Sequence, residues 1–438
     1  MEETIKLPLF IEHSRQGAYF TLPFTLPQDV EQLNITYSYQ RYDGSTYPVH
    51  QGIFTSKQEI NIIDLGLIAP DGSQVGASGS DKTEIFISQN DATPGYSPHA
   101  LPAGEWSILV GAYKIAPEGV KVSYTISYKQ KKIKLLKGDL HMHTLASDGV
   151  HTVKELATKA MRNGLDFIAI TDHNQMVSRD ALPKISGITL IPGVEWTHYL
   201  GHANFLGVDR PYDGPFMTNG DREMQSKFAQ ARQSGALITV NHPFESGCEF
   251  KFDLNSIHFD ALEVWNGPMR ESNLRAVGLW QQLLCSGLKI PACGGSDYHR
   301  DTPFIFLGGP TMGVYSRSTG FSDILEAIRQ GHAYITFAPN GPSLDMHVGD
   351  AMMGDSTPWK KENQVKIQAQ GLQKGDIIRA VTRAGSVPIL EAPQHGETNI
   401  SLPVEEPGFM RIEILRSFLP GIPPLPALLG NPIYFDAG

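Results

Sequence analysis

The chain has 438 residues, 41% hydrophobic and 19% charged, which is enough for two or three domains and a substantial core. A formal net charge of −10 without any long basic run argues against sequence-independent binding to nucleic acid. No apolar run approaches the roughly 18 residues of a membrane-spanning helix. The N-terminus, Met1-Glu2-Glu3-Thr4, lacks the apolar core of a signal peptide. Three cysteines, Cys248, Cys285 and Cys293, cannot build a disulfide framework, so a reducing, cytoplasmic location is expected.

Residues 1–132 read as β-structure. Short apolar or alternating runs (Leu33–Tyr39, Ile60–Leu67, Glu84–Ser88, Trp106–Tyr113 and Val120–Tyr128) are separated by turn signals such as Asp43-Gly44, Pro70-Asp71-Gly72 and Pro94-Gly95. This spacing predicts a sandwich or jelly roll. At Lys131-Lys132 the pattern changes, and over 133–341 strand-like runs alternate with helices. Thr152-Val153-Lys154-Glu155 is a capping box that opens a helix ending at Asn163-Gly164. Further strands are expected over Leu165–Thr171, Ile188–Glu195, Ala236–Val240, Phe259–Val264 and Leu288–Cys293, and helices over Asp221–Ser234, Glu271–Ser286 and Ser322–Gln330. Such alternation indicates an α/β fold with a parallel sheet, of which a barrel is one form. Residues 342–438 return to β character, with candidate strands Gln364–Gln370, Ile377–Arg383 and Met410–Leu415.

The chemistry-bearing residues stand at the ends of these strands. Ile133–Leu140 runs into His141-Met142-His143, and Asp148 follows in a Ser-Asp-Gly turn. In a strand, residues two apart share a face, so both imidazoles converge, as a metal site requires. The next strand ends in Asp172-His173-Asn174, the third in Glu195, the fourth in Asn241-His242-Pro243, and the last in Ser296-Asp297-Tyr298-His299. In a parallel α/β barrel these ends share one face, where active sites sit. His202 departs from the rule, because it begins an apolar run rather than ending one.

The segments D-L-H-M-H-T-L-A-S-D-G, I-T-D-H-N, I-P-G-V-E, G-H-A-N-F-L-G, N-H-P and G-G-S-D-Y-H, in this order across residues 137–340, resemble the polymerase and histidinol phosphatase (PHP) superfamily. The flanking β-regions and Asn431-Pro432-Ile433-Tyr434 resemble its carbaryl hydrolase-like branch. The resemblance implies a distorted (β/α)7 barrel between N- and C-terminal β-sandwich-like domains, with two or three divalent metal ions. The implied ligands are His141, His143, Asp148, His173, Glu195, His202, His242, Asp297 and His299. Glu195 would bridge two metals. Asp148 stands where some members carry histidine, and with His173 and His299 it would form the third site.

Nitrogen and carboxylate ligands without thiolate suit Zn, Mn or Fe. Paired metals roughly 3.5–4 Å apart bridge a hydroxide and clamp the attacking and leaving oxygens. Three divalent ions bring more positive charge than Asp148, Glu195, Asp297 and one hydroxide return, so the pocket suits a small anionic substrate, a phosphoester, over a neutral one. The reading is a metal-dependent phosphoesterase, with Glu195, Asp297 and His299 taking part in catalysis. One rival keeps the centre and cleaves a carbamate, ester or amide; the other is a non-catalytic metal-containing binding module. Around the ligands, Asp172 is expected to orient an imidazole, and Tyr298 and Trp196 to line the pocket. Asn174, Asn241 and Asn266 are candidates for substrate or for loop hydrogen bonds, and Arg300 for a phosphate oxygen or a surface ion pair. His151, His198 and His258 match no motif, Cys293 is expected in the core, and Met352-Met353 in packing or a loop.

Overall fold

The computed structural model describes residues 2–49 and 54–437. Contacts divide the chain at Lys132/Ile133 into two compact units, 1–132 and 133–438. In the first, two antiparallel sheets have four strands each. One runs in the order Glu2–Ile11, Val120–Gln130, Val30–Tyr39, Glu84–Ser88; the other in the order Tyr19–Leu26, Gly104–Lys114, Ile62–Ile68, Gln74–Ser78. Alternating residues of both, including Ile35, Leu65, Trp106, Ile108, Tyr124 and Ile126, form one buried cluster. The period-two pattern selects strands here because each sheet buries only one face. Among the described residues of this unit the only helical element is the 3-10 turn His13–Arg15.

The second unit is an α/β fold. Its strands β1 (Lys134–Asp139), β2 (Phe167–Ile170) and β3 (Thr189–His198) are parallel. Strand β4 (Gly201–Leu206) is antiparallel to β3 and to β5 (Leu237–Val240), after which β6 (Ala261–Asn266) and β7 (Ala292–Gly295) continue parallel to β5. On the other side of β1 lie the antiparallel strands β8 (Thr311–Ser316) and β9 (Ala333–Thr336). Beyond β9 the same sheet takes in Leu425–Gly430, Gly408–Arg416, Ile377–Thr382 and Gly385–Glu391, so the C-terminal β-region shares a sheet with the α/β region. No ladder joins β7 back to β1 among the described residues. A single parallel bridge, Met142 with Tyr298, and the close approach of Gly295 to His141 bring the two ends of the path together.

Four helices connect these strands: α1 (Val153–Arg162), α2 (Asp221–Gln233), α3 (Glu271–Cys285) and α4 (Phe321–Gln330). The capping box at Thr152 is formed, with Thr152 Oγ1 accepting from Glu155 N and the Glu155 carboxylate accepting from Thr152 N. Gly164 and Gly235, at φ +80° and +87°, end α1 and α2 in the left-handed conformation glycine adopts freely. Strands β2, β5, β6 and β7 are buried throughout, as parallel strands covered on both faces must be.

One strand differs in position from the sequence expectation. The run Leu288–Cys293 does not pair as a whole; β7 starts at Ala292 and reaches Gly295. Pro291 has no N–H to give a ladder, and Leu288 is exposed, so pairing begins only beyond the proline. Cys293 lies in the core and Met353 is fully buried.

Candidate metal centre

The C-terminal ends of the parallel strands converge on a buried carboxylate. Past the end of β1, Met142 packs into the cluster of Leu156 and Ile168, while His141 and His143 on either side turn the other way, ring centroids 5.4 Å apart. Glu195, near the end of β3, is fully buried. Its Oε1 lies 3.2 Å from His141 Nε2, 3.1 Å from His202 Nδ1 and 3.3 Å from His242 Nε2. Its Oε2 lies 2.7 Å from His173 Nδ1 and 3.7 Å from His143 Nε2. Five imidazoles therefore surround one carboxylate.

The exception at His202 has a topological cause. Because β4 runs antiparallel, its beginning lies beside the ends of β3 and β5, and His202 pairs with Thr197 in register. A residue that opens this strand thus occupies the same face as residues that close the others.

Asp297 follows β7 with its Oδ1 3.0 Å from His143 Nε2 and 3.5 Å from His141 Nε2. The exposed Asp148 returns to the site through a short loop. Thr144 N, Thr144 Oγ1 and Ser147 Oγ all donate to Asp172, and Gly149 packs so closely that a Cβ there would lie 2.3 Å from His143 O. This places Asp148 Oδ1 3.2 Å from His299 Nε2 and 3.7 Å from His173 Nε2. All nine positions singled out in the sequence fall in this one cluster. Their donor atoms form overlapping groups: His141, His143 and Glu195; His141, His242 and Asp297; and His143, Asp148, His173 and His299. A further group, His202, His242 and Cys248, brings in a thiol that no motif marked.

Backbone strain concentrates here. Asn174, His242 and Asp297 adopt φ of 52°, 25° and 51°, a region that non-glycine residues rarely enter and that surrounding structure must enforce.

The electrostatics follow from burial against mutual attraction. Burial alone would strip the proton from His141, yet Asp297, Glu263 and Glu195 outweigh it and raise the imidazole well above its ordinary value. Burial likewise opposes charge on His242, and its bond to Cys248 together with Glu195 and Glu263 raises it well above. Glu195 and Asp297 are held well below the usual carboxylate range, because the neighbouring imidazoles outweigh their burial. His143 goes the other way; its burial prevails over Asp297 and Glu195. Even so, neither His141 Nε2 nor Glu195 Oε2 is met in hydrogen-bonding geometry, the close approaches of Glu195 Oε1 and His173 Nδ1 included. A buried imidazole nitrogen and a buried carboxylate oxygen, both of ligand type and both without a hydrogen bond in a cluster of such atoms, fit a divalent cation.

Several neighbours differ from expectation. Asp172 holds the 144–148 loop and touches no imidazole directly. Trp196 and Tyr298 are fully buried and do not line the pocket: Trp196 Nε1 donates to Phe216 O, and Tyr298 OH accepts from Lys159 Nζ. Asn174 bonds both backbone groups of Thr197, and Asn241 donates to Glu195 and Asn204, so both serve the protein's own structure. Asn266 Nδ2 faces Glu263 and Asp297. Arg300 is exposed and has neither a hydrogen bond nor an ion pair among the described residues. His151, His198 and His258 bond Tyr298, Thr218 and Asp260 away from the cluster.

Two buried carboxylates escaped the sequence reading. Asp139 accepts from His141 N, Ser296 N, Ser296 Oγ and Gly308 N, and burial pushes it up to about 6 despite these donors. Glu263 accepts from His141 Nδ1 and His242 N. A charged residue inside the apolar run A-L-E-V-W was the available signal.

Residues 139–266 match the PHP domain, and the chain carries that domain. The chain is also similar to the DNA polymerase/3′-5′ exonuclease PolX of Bacillus subtilis, 40% identical over 53 residues, which are 12% of this chain and 9% of that protein. It is similar to the 5′-3′ exoribonuclease Rnm of Salmonella typhimurium, 30% identical over 153 residues, 32% of this chain and 44% of that protein. The chain thus matches less than half the length of either relative. Among solved structures, a two-domain protein from Bacteroides vulgatus containing a predicted PHP-like metal-dependent phosphoesterase aligns over 64% of this chain and 90% of that one, at 18% identity and a TM-score of 0.39. No helix among the described residues is long and apolar enough to cross a membrane.

Proposed function

We propose that this protein is a metal-dependent hydrolase that cleaves phosphoesters of small anionic molecules. The observation that carries the reading is the ring of five imidazoles around the buried Glu195, with His141 Nε2 and Glu195 Oε2 left without hydrogen bonds inside a matched PHP domain. We take the α/β region to be a distorted (β/α)7 barrel between β-sandwich-like domains, with boundaries near residues 132 and 341. A reducing, cytoplasmic setting is supported by three free cysteines.

His141, His143, Glu195, His202, His242 and Asp297 would hold a bridged pair of divalent ions (Zn, Mn or Fe), and Asp148, His173 and His299 a third. When bound, such ions polarise a phosphoryl oxygen and lower the pKa of water, several kcal/mol of stabilisation on the general scale. The chain's own residues then set orientation and proton traffic. Asp297 Oδ1 reaches both His141 and His143, so the carboxylate is anchored where it would orient an attacking water. His299 Nδ1 lies 2.8 Å from Asp297 O, which leaves Nε2 facing the exposed Asp148, where it would hold the third ion or, with that site empty, pass a proton to a leaving group. Arg300, one residue on, exposed and without a partner among the described residues, would be available to a substrate phosphate.

The test is a substrate panel with Mn²⁺ or Zn²⁺ supplied: an aryl phosphomonoester, an aryl phosphodiester, an aryl carbamate and a 5′-phosphorylated RNA oligonucleotide. The proposal predicts the highest kcat/KM on a small phosphoester. Carbamate turnover far above phosphoester turnover would favour the rival hydrolase, preference for the oligonucleotide would overturn the small-molecule reading, and no turnover would favour a binding module.

A further inference from the structure

Glu263 sits in the middle of β6 and is almost wholly buried, yet it is not among the nine residues that surround the pocket. Its two oxygens divide their partners. Oε1 lies 3.0 Å from His141 Nδ1. Oε2 accepts from His242 N at 2.8 Å and from Asn266 Nδ2 at 3.3 Å. The same Asn266 Nδ2 lies 3.3 Å from Asp297 Oδ2, and Arg270 Nη2 donates to Asn266 Oδ1 at 3.1 Å.

These contacts point in one direction. A carboxylate acceptor at Nδ1 fixes the proton on that nitrogen. It thereby reserves Nε2, the atom that is buried without a hydrogen bond beside Glu195 and Asp297, as the nitrogen at which a metal ion would take the place of a proton. The bond to His242 N restrains a backbone held at φ 25°, and the Asn266 bridge reaches Asp297 at φ 51°. One side chain thus acts on three separate strand ends.

We propose that Glu263 is the positioning residue of the metal centre: it sets the His141 tautomer, holds the strained His242 backbone, and aligns Asp297 through Asn266. This rests on the metal-centre reading above. The requirement is for negative charge as well as shape, since a charged acceptor raises the basicity of the far nitrogen and a neutral one does so less.

Glu263→Gln keeps the volume but carries no charge, and its single amide oxygen can accept from His141 Nδ1 or from His242 N, not from both. Metal affinity is measured by titrating metal-stripped protein with Zn²⁺ against a competing chelator, alongside thermal unfolding of the metal-free forms. The expected result is a loss of roughly 10- to 100-fold in affinity, the range for such supporting residues, with the metal-free variant still unfolding cooperatively at a lower melting temperature than the parent. Glu263→Asp, which retains the charge, should recover part of the affinity. A variant that binds as tightly as the parent overturns the inference and leaves the metal-centre reading intact. A parent protein that binds no metal overturns both. Should Glu263→Gln not fold, long-range 15N–1H histidine spectra of the Zn²⁺-loaded parent decide: Nδ1-protonated His141 is expected, and a protonated Nε2 overturns the proposal.

Discussion

Replacing Glu195 by Gln is the sharpest perturbation available, because it removes one charge and almost no volume. Glu195 is fully buried, has His141, His173, His202 and His242 within 3.3 Å of its oxygens, and accepts from Asn241 Nδ2 at 3.0 Å. The amide oxygen can keep the Asn241 bond, so the β3–β4 hairpin should persist. What is lost is the anion common to the cluster. Loss of a residue that merely supports a ligand costs roughly 10- to 100-fold in metal affinity, and loss of this shared anion should cost at least about 100-fold. A ligand present at 100 times its Kd stabilises a fold by about 2.7 kcal/mol, so at a metal concentration that saturates the parent the variant should show almost none of the metal-induced rise in melting temperature. Thermal unfolding with and without Mn²⁺ or Zn²⁺, on parent and variant, reads both quantities. An unchanged metal-induced shift in Glu195→Gln would refute the placement of this carboxylate at the heart of the centre.

His143→Ala and His242→Ala should each abolish hydrolysis while leaving circular dichroism largely unchanged, and near-normal kcat at saturating metal would remove that residue from the ligand set. Asp148→Asn should weaken the group formed with His173 and His299 and leave the Glu195 cluster in place; kcat/KM should then fall more for a phosphomonoester than for a neutral aryl carbamate, whereas equal losses would make that group structural. Asp139→Ala strands three buried backbone N–H groups, of His141, Ser296 and Gly308, together with the Ser296 hydroxyl. At about 1–3 kcal/mol for each group left unsatisfied, the melting temperature should drop by several degrees even without metal, and an unchanged value would contradict the role given to this carboxylate in joining β1 to β7.

Much of the site was legible because ligand-type residues stand where apolar runs stop, and strand ends in an α/β sheet share a face. His141, His173, Glu195, His242 and Asp297 all follow that rule. His202 broke it for a reason that lies in strand direction, which residue pattern alone does not carry: an antiparallel strand presents its beginning where its neighbours present their ends. The start of β7 was misplaced because apolar character continues through Leu288 and Ile290, whereas ladder pairing depends on backbone N–H groups that Pro291 interrupts. Adjacency to ligands suggests a place at the site for Trp196 and Tyr298, but alternation along an extended chain sends neighbours of ligands to the opposite side, into the core. Asp139 and Glu263 were passed over for the opposite reason. Each lies within a strand rather than past its end, and their partners His141, His242, Ser296 and Gly308 come together only through tertiary packing.

Anomalous scattering from crystals of metal-reconstituted protein, collected above and below the absorption edge, is the most direct measurement of the central claim. The account predicts two or three ions, all bounded by His141, His143, Asp148, His173, Glu195, His202, His242, Asp297 and His299, with Glu195 touching two of them. No ion in this pocket after reconstitution, or ions bound only elsewhere on the chain, would contradict it.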